Sequence, residues 1–497
     1  YWQYLFRFLV GKYNFINQSL QNRDQTSSTQ SLLDQPLLYL TDSDAWRIRD
    51  AVENVFIMGG IGSGKTSGSA KTLALKYLEW GFGGLVLCAK KDEAQNWIDY
   101  AKLTQCEQDL IVFSPQSDHQ FNFLSYELNR SGEGAGLVEN IVEILKMVMN
   151  IGAAQSGGSD DPFWEGARDL LLYNALDICL LAKGQLYLND IAEVIKSAPH
   201  KDKDVPEEEF RKSACFQMLK AVYTKIAKGE LSLDVSNDYR NIEQYFLNDF
   251  RNLAEKTRSI VEQYFFGFAN RLLRRPFNKM FCSGTTFTPE DAIEKGKIII
   301  LDIPVKEYQK VGQISQVLFK YIFQKALERR KVHDRTRPIF IFNDECQHFL
   351  HDHDAEFAAT SRSSRACMVN ISQNLPNLLV NFGSGDEAQN KVDAIIGNHS
   401  THIFHANACM RTNKYASELI GQEVGWSQSM NNSYGQGSSF SEGQSEQLMY
   451  KIRPEEFASL ANGGPQNNFN VQAVMHKTGI PFNATAQNHL HITFKQN

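Results

Sequence analysis

Gly59-Gly60-Ile61-Gly62-Ser63-Gly64-Lys65-Thr66 matches G-x-x-x-x-G-K-[ST], and its flanks are the ones this pattern requires. Val55-Phe56-Ile57-Met58 is a short apolar run ending at Gly59, which predicts a buried strand entering a turn. Lys71 to Trp80 follows at helical spacing. In such a strand–loop–helix unit, glycines let successive backbone N–H groups converge on phosphate oxygens, and the helix N-terminus adds partial positive charge. Lys65 is expected on the β- and γ-phosphates and the Thr66 hydroxyl on Mg²⁺. With Ser67, these residues make a nucleotide-binding set running from Gly59 to Ser67.

A phosphate loop of this kind needs a carboxylate for the metal and a group that activates water. Ile339-Phe340-Ile341-Phe342-Asn343-Asp344-Glu345 supplies both at the end of an apolar run. Asp344 is expected to hold Mg²⁺ through its water shell, and Glu345 to polarise the attacking water. A GTPase also calls for an N-K-x-D motif to read the base. The candidate, Asn413-Lys414-Tyr415-Ala416, lacks the aspartate, so ATP is the expected nucleotide.

Further short strands are expected at Leu85–Cys88, Leu110–Phe113, Lys297–Asp302, Cys367–Ile371 and Thr401–Phe404, with helical stretches between them. Strands alternating with helices argue for an α/β fold with a mostly parallel central sheet. From 126 to 280 the pattern is helical throughout, so an all-α domain is expected to interrupt the sheet-forming parts, 45–125 and 281–497. Asn17 to Gln35 reads as a linker, Gly152 to Asp161 as a flexible loop, and the Ser/Gly/Gln-rich 426–447 as disordered or mobile.

Lys and Arg total 51 against 57 Asp and Glu, a net charge of −6, so no global basic field attracts nucleic acid and any such contact must be local. Cys88, Cys106, Cys179, Cys215, Cys282, Cys346, Cys367 and Cys409 are scattered and read as reduced thiols of a cytosolic protein. The stretch from Tyr1 to Val10, within a 1–44 N-terminal segment, is aromatic but too short to span a membrane; it reads as a packed helix or a stub below an anchor. Cys346, His348, His351, His353, Asp352 and Asp354 are read as a solvated segment and not as a zinc site. His399, His402 and His405 are not expected to share a site, because His402 faces away from the other two on a strand. Arg271, Arg274, Arg275 and Lys279, among Leu272, Phe277 and Phe281, read as the solvated face of the insert's last helix. A nucleic-acid contact is the alternative there. Lys325, Arg329, Arg330, Lys331 and Arg335 read as a helix end.

In its order of motifs the chain resembles the type IV secretion coupling proteins, the TraG/TraD-type conjugative ATPases. The marks are Gly59–Thr66, Asp344-Glu345, the helical insertion between them, Ile371-Ser372-Gln373-Asn374, and Arg453-Pro454-Glu455-Glu456-Phe457 after the Ser-rich stretch. The resemblance implies a RecA-like P-loop motor with an inserted helical domain, working with ATP and Mg²⁺ as a homo-oligomer, a hexameric ring. It implies that Gln373 senses the γ-phosphate and that Arg362 reaches into the neighbouring subunit's site, with Arg365 as competitor. It implies DNA or nucleoprotein cargo, secretion-system components and accessory adaptors as partners. The expected location is the cytoplasmic face of the bacterial inner membrane, through an anchor absent from this chain. A related DNA translocase for segregation or packaging, and a nucleotide-gated docking receptor, are the alternatives.

Overall fold

The computed structural model describes residues 31–153, 162–201, 206–380, 382–383, 385–433 and 439–496. The expectations for Tyr1–Val10 and for most of the linker fall outside the described residues, as does most of the Gly152–Asp161 loop. Two short strands, β1 (Pro36–Tyr39) and β2 (Ala45–Arg47), pair with each other ahead of the main sheet.

Among the described residues the main sheet has nine strands, and seven of them are parallel-paired. They are β3 (Val55–Met58), β4 (Gly83–Leu87), β5 (Leu110–Phe113), β6 (Ile298–Leu301), β7 (Ile339–Asn343), β8 (Ala366–Ser372) and β9 (Thr401–His405). Parallel strands are covered by helices on both faces and so are apolar at every position, not at alternate ones. That is why β3 (VFIM), β6 (IIIL) and β7 (IFIFN) are buried throughout and are visible as continuous apolar runs. Helices cover the sheet, and the fold is α/β as the pattern predicts.

The sheet then continues beyond what apolar runs reveal. Following β10 (Gln422–Ser433) and β11 (Ser439–Tyr450), β12 (Asn470–Lys477) adds antiparallel to β9, and β13 (His489–Lys495) adds antiparallel to β12. The complete order is β13-β12-β9-β3-β8-β7-β4-β6-β5. In the edge strand β13, burial alternates strictly, with Leu490, Ile492 and Phe494 facing in. This period-2 signal belongs to a strand with one face in solvent. The strands β10 and β11 correct the expectation of a disordered or mobile loop at 426–447 in its described residues: they pair antiparallel with register from Gln422↔Tyr450 to Ser433↔Ser439. Ser, Gly and Gln depress strand propensity, but backbone ladder bonds form whatever the side chain, so composition misjudged this segment. Val424, Trp426 and Leu448 are exposed near its base.

Between β5 and β6 the described residues form helices, the longest being Val138–Ala153, Pro162–Lys183, Ala214–Ala227 and Glu255–Leu272. The block leaves and re-enters at one narrow neck, where Phe121 N–H donates to Met280 O (2.7 Å) and Asn122 N–H to Gly284 O (2.9 Å). It shares one apolar core with the sheet, continuous from Leu145 and Phe265 through Phe121 and Phe319 to Leu87 and Ile341. Phe277 and Phe281 are buried in that core, so the rings flanking the Arg271–Lys279 cations are unavailable to stack on bases. Among the described residues, no helix is long and apolar enough to cross a membrane.

The helix Val305–Arg329 carries a buried polar stripe, Gln316, Lys320 and Gln324, at i, i+4 and i+8. Gln316 is bonded to both the N–H and the carbonyl of Cys88 at the end of β4 (2.7 and 2.8 Å). Lys320 donates to Phe349 O (3.0 Å) and to Asp354 (2.7 Å), and Gln324 donates to the other Asp354 oxygen (2.8 Å). Lys320 and Asp354 are fully buried, which corrects the reading of residues 346–354 as solvated: Cys346 and His351 are buried there too. Burial alone raises the Asp354 carboxyl, but His351, Lys320 and Gln324 outweigh it and hold the group at about 2. Truncating one partner leaves the other charge buried and unpaired. Asp354→Ala is therefore expected to cost about 3–5 kcal/mol in unfolding free energy, read from urea midpoints. A loss no larger than that of a surface pair, below about 1 kcal/mol, would refute this assignment.

Candidate functional site

Parallel pairing brings the carboxyl ends of β4, β3, β7 and β8 to one edge of the sheet, with Met58 level with Ser372 and Leu87 level with Asn343. Ligand sites of open parallel sheets lie at this edge. Residues far apart in sequence therefore converge there, beside a cleft of 730 Å³. Gly62, Ser63, Gly64, Lys65, Thr66, Ser67, Lys90, Glu345 and Gln373 are among its lining residues.

The loop after β3 is held open by backbone geometry. Gly62 and Gly64 have φ of 68° and 80°, the left-handed region that only glycine enters at no cost. A Cβ at Gly64 would also lie 2.6 Å from Val471 Cγ2 on β12, and one at Gly59 would lie 2.7 Å from His405 Cβ on β9. Gly60 N–H donates to Ala406 O (2.8 Å), tying the loop to the strand beside it. One π-helical turn, Thr66–Ala70, then leads into the helix Lys71–Glu79.

Lys65 is buried, with its amine 3.4 Å from Gly60 O. Burial lowers the amine's pKa, while Asp344 and Glu345 work in the opposite direction. The Thr66 hydroxyl donates to Asp344 Oδ2 at 3.0 Å. A hydroxyl and a carboxylate oxygen side by side form the hard donor set that Mg²⁺ takes, so the residues fit that ion. Burial raises the Asp344 carboxyl, and the neighbouring Glu345 adds to this.

Glu345 follows in a left-handed conformation, φ 50° and ψ 50°, which turns its side chain back toward the cleft. Gln347 and Gln373 both reach it, at 2.8 and 3.2 Å. Lys90, just past β4, forms an ion pair with it at 2.8 Å. Burial alone raises the Glu345 carboxyl, but Lys90 and the two glutamines prevail and hold it at about 2. Lys90 was missed in the sequence: a lysine three residues past a strand has no distinguishing spacing. Glu93 was missed as well. It is buried, accepts from Ala89 N–H (2.6 Å) and Lys90 N–H (3.2 Å), and is pushed by burial and by Asp344 to about 8.

Arg362 lies elsewhere, beyond the amino end of β8, whereas Gln373 follows its carboxyl end. Its side chain is 62% exposed and its guanidinium bonds Glu53 at 3.0 Å. Arg365 is buried. The histidines do not converge on one centre: His399 bonds Asn370, His405 bonds Ser69 Oγ, and His402 lies against His476. Among the described residues no group of three or more His, Cys, Asp or Glu is arranged to hold a metal ion.

The sequence matches the family described as Type IV secretory system Conjugative DNA transfer over residues 11–463. No curated protein matches it. Among solved structures, the unbound bacterial conjugative coupling protein TrwBdeltaN70 superposes with a TM-score of 0.60 at 10% identity, covering 96% of this chain and 91% of that one. The plasmid coupling protein TrwB in complex with the non-hydrolysable ATP analogue ADPNP gives 0.59 at 10% identity, covering 95% and 91%. The same protein with ADP and Mg²⁺ gives 0.59 at 10% identity, covering 95% and 90%. At this identity the likeness establishes the fold.

Proposed function

This chain belongs to the Type IV secretory system conjugative DNA transfer family, and from that premise we propose that it is an ATP-hydrolysing coupling protein, driving DNA or nucleoprotein cargo into a secretion channel. The observation that carries the reading is the meeting of Lys65, Thr66, Glu345 and Gln373 around one cleft, with Asp344 bonded to the Thr66 hydroxyl. TrwB, similar in fold, has been captured with an ATP analogue and with ADP and Mg²⁺, which supports the same cofactors here.

In this reading the backbone N–H groups of Gly60 to Thr66 grip the β-phosphate, and Lys65 neutralises the β- and γ-oxygens. Mg²⁺, when bound by Thr66 and through water by Asp344, supplies charge stabilisation on the phosphate oxygens. Glu345 orients the attacking water and takes its proton, and Gln373 senses the γ-phosphate beside it. Arg362 acts on the next subunit of a ring, a hexamer. The helical insert engages cargo or adaptors, and the working location is the cytoplasmic face of the inner membrane.

The test is the steady-state ATPase rate with and without added DNA. A motor is expected to be stimulated on the order of tenfold or more, about 1.4 kcal/mol of barrier. Hydrolysis indifferent to DNA would favour a nucleotide-gated docking receptor, and no hydrolysis under any condition would overturn the enzyme assignment.

A further inference from the structure

A water-activating carboxylate must present a free lone pair to the water. In Glu345 every oxygen is already engaged: Oε1 by Lys90 (2.8 Å) and Gln373 (3.2 Å), and Oε2 by Gln347 (2.8 Å) and Gln373 (3.4 Å). Lys90 is the one cation among these donors and the one on a long flexible stem. Its backbone N–H is held by buried Glu93, whose carboxylate also lies 3.9 Å from the Lys90 amine. Its side chain is 31% exposed and lines the same cleft as the phosphate loop. Lys65 lines it as well, so an anion entering the cleft would meet two cations.

We propose that Lys90 is a triphosphate-operated clamp on the general base. Without a γ-phosphate it holds Glu345 Oε1. When the γ-phosphate of a bound triphosphate enters the loop, Lys90 exchanges the carboxylate for the more highly charged phosphoryl oxygens and frees Glu345 for water. After the phosphate leaves, ADP offers no such oxygens and the lysine returns. Hydrolysis is thereby confined to a correctly seated triphosphate. The inference rests on the nucleotide-site reading above.

The experiment measures Kd for ADPNP and for ADP, each with Mg²⁺, in the full chain and in Lys90→Met, Lys90→Arg, Glu345→Gln and the Lys90→Met/Glu345→Gln double variant. Lys90→Met is expected to weaken ADPNP by about tenfold or more, the worth of one charge-assisted hydrogen bond, while ADP stays within about twofold. Lys90→Arg, which keeps the charge, is expected to restore most of the ADPNP affinity. Glu345→Gln loosens the clamp and is expected to tighten ADPNP but not ADP, and this gain is expected to vanish in the Lys90→Met background. Equal weakening of both nucleotides, an unchanged ADPNP affinity, or a Glu345→Gln gain that survives without Lys90 would each overturn the clamp. If the unaltered chain binds neither nucleotide, the site reading falls first and the clamp with it.

Discussion

Lys65→Ala is expected to lose ATP binding by on the order of 100-fold or more in Kd while keeping its fold. The reasoning is local. The Lys65 ammonium is buried, has one long bond to Gly60 O, and faces the Asp344 and Glu345 carboxylates. Removing it leaves two acids facing incoming phosphates with Lys90 as their nearest counter-charge, and Lys90 is already committed to Glu345. Truncating one member of a desolvated, hydrogen-bonded charge set costs about 2–5 kcal/mol, which is roughly 30- to several-thousand-fold in affinity. Titration with a fluorescent ATP analogue, alongside circular dichroism to show an intact fold, reads the effect directly. Tight binding by the folded Lys65→Ala protein would remove the phosphate-loop assignment. Glu345→Gln provides the contrast, because it is expected to bind ATP and fail to hydrolyse it.

Arg362→Ala is expected to bind ATP normally, assemble normally and lose hydrolysis by about 10³–10⁵, the range for an arginine delivered in trans. Lys65 and Mg²⁺ cannot cover every γ-phosphate oxygen as charge develops, and a guanidinium suits the remainder. Its position excludes action on its own subunit: it precedes β8, whereas the site lies at the other end of that seven-residue strand, about 20 Å away. The side chain is exposed and held by Glu53 of the same chain, an ion pair that docking against a neighbour must exchange. Arg365 is buried at φ 51°, so its guanidinium is turned inward and Arg365→Ala is expected to act through stability and not through the neighbour's rate. Mixing Arg362→Ala with Glu345→Gln is the decisive measurement. Each is inactive alone, yet a mixed ring contains interfaces where an intact Glu345 meets an intact Arg362. Partial return of activity is expected; none in demonstrably mixed rings would end the trans role.

What could be read from the chain alone was whatever local pattern encodes. Seven parallel strands were legible because burial on both faces demands an unbroken apolar run, as in Ile298–Leu301 and Ile339–Phe342. The glycine loop after β3 was legible because a left-handed backbone at Gly62 and Gly64, and a close approach of Gly64 to Val471, favour glycine there. The Asp344-Glu345 pair was legible because an acid directly after such a run stands at a strand end. The rest was decided by tertiary structure. Nothing near Lys320 or Asp354 marks either as buried, since their partnership is made between two helices, Val305–Arg329 and His353–Thr360, that only the fold brings together. The same holds for Lys90 and Glu345, which become neighbours because β4 pairs with β7 in parallel and both chains leave the sheet at the same edge. The pairing of β10 with β11 was hidden for the opposite reason: its ladder is built from backbone groups common to every residue, so a Ser-, Gly- and Gln-rich composition could not reveal it. Local sequence fixes which backbone states are cheap, whereas charge pairing depends on distances through space that the sheet's strand order alone sets.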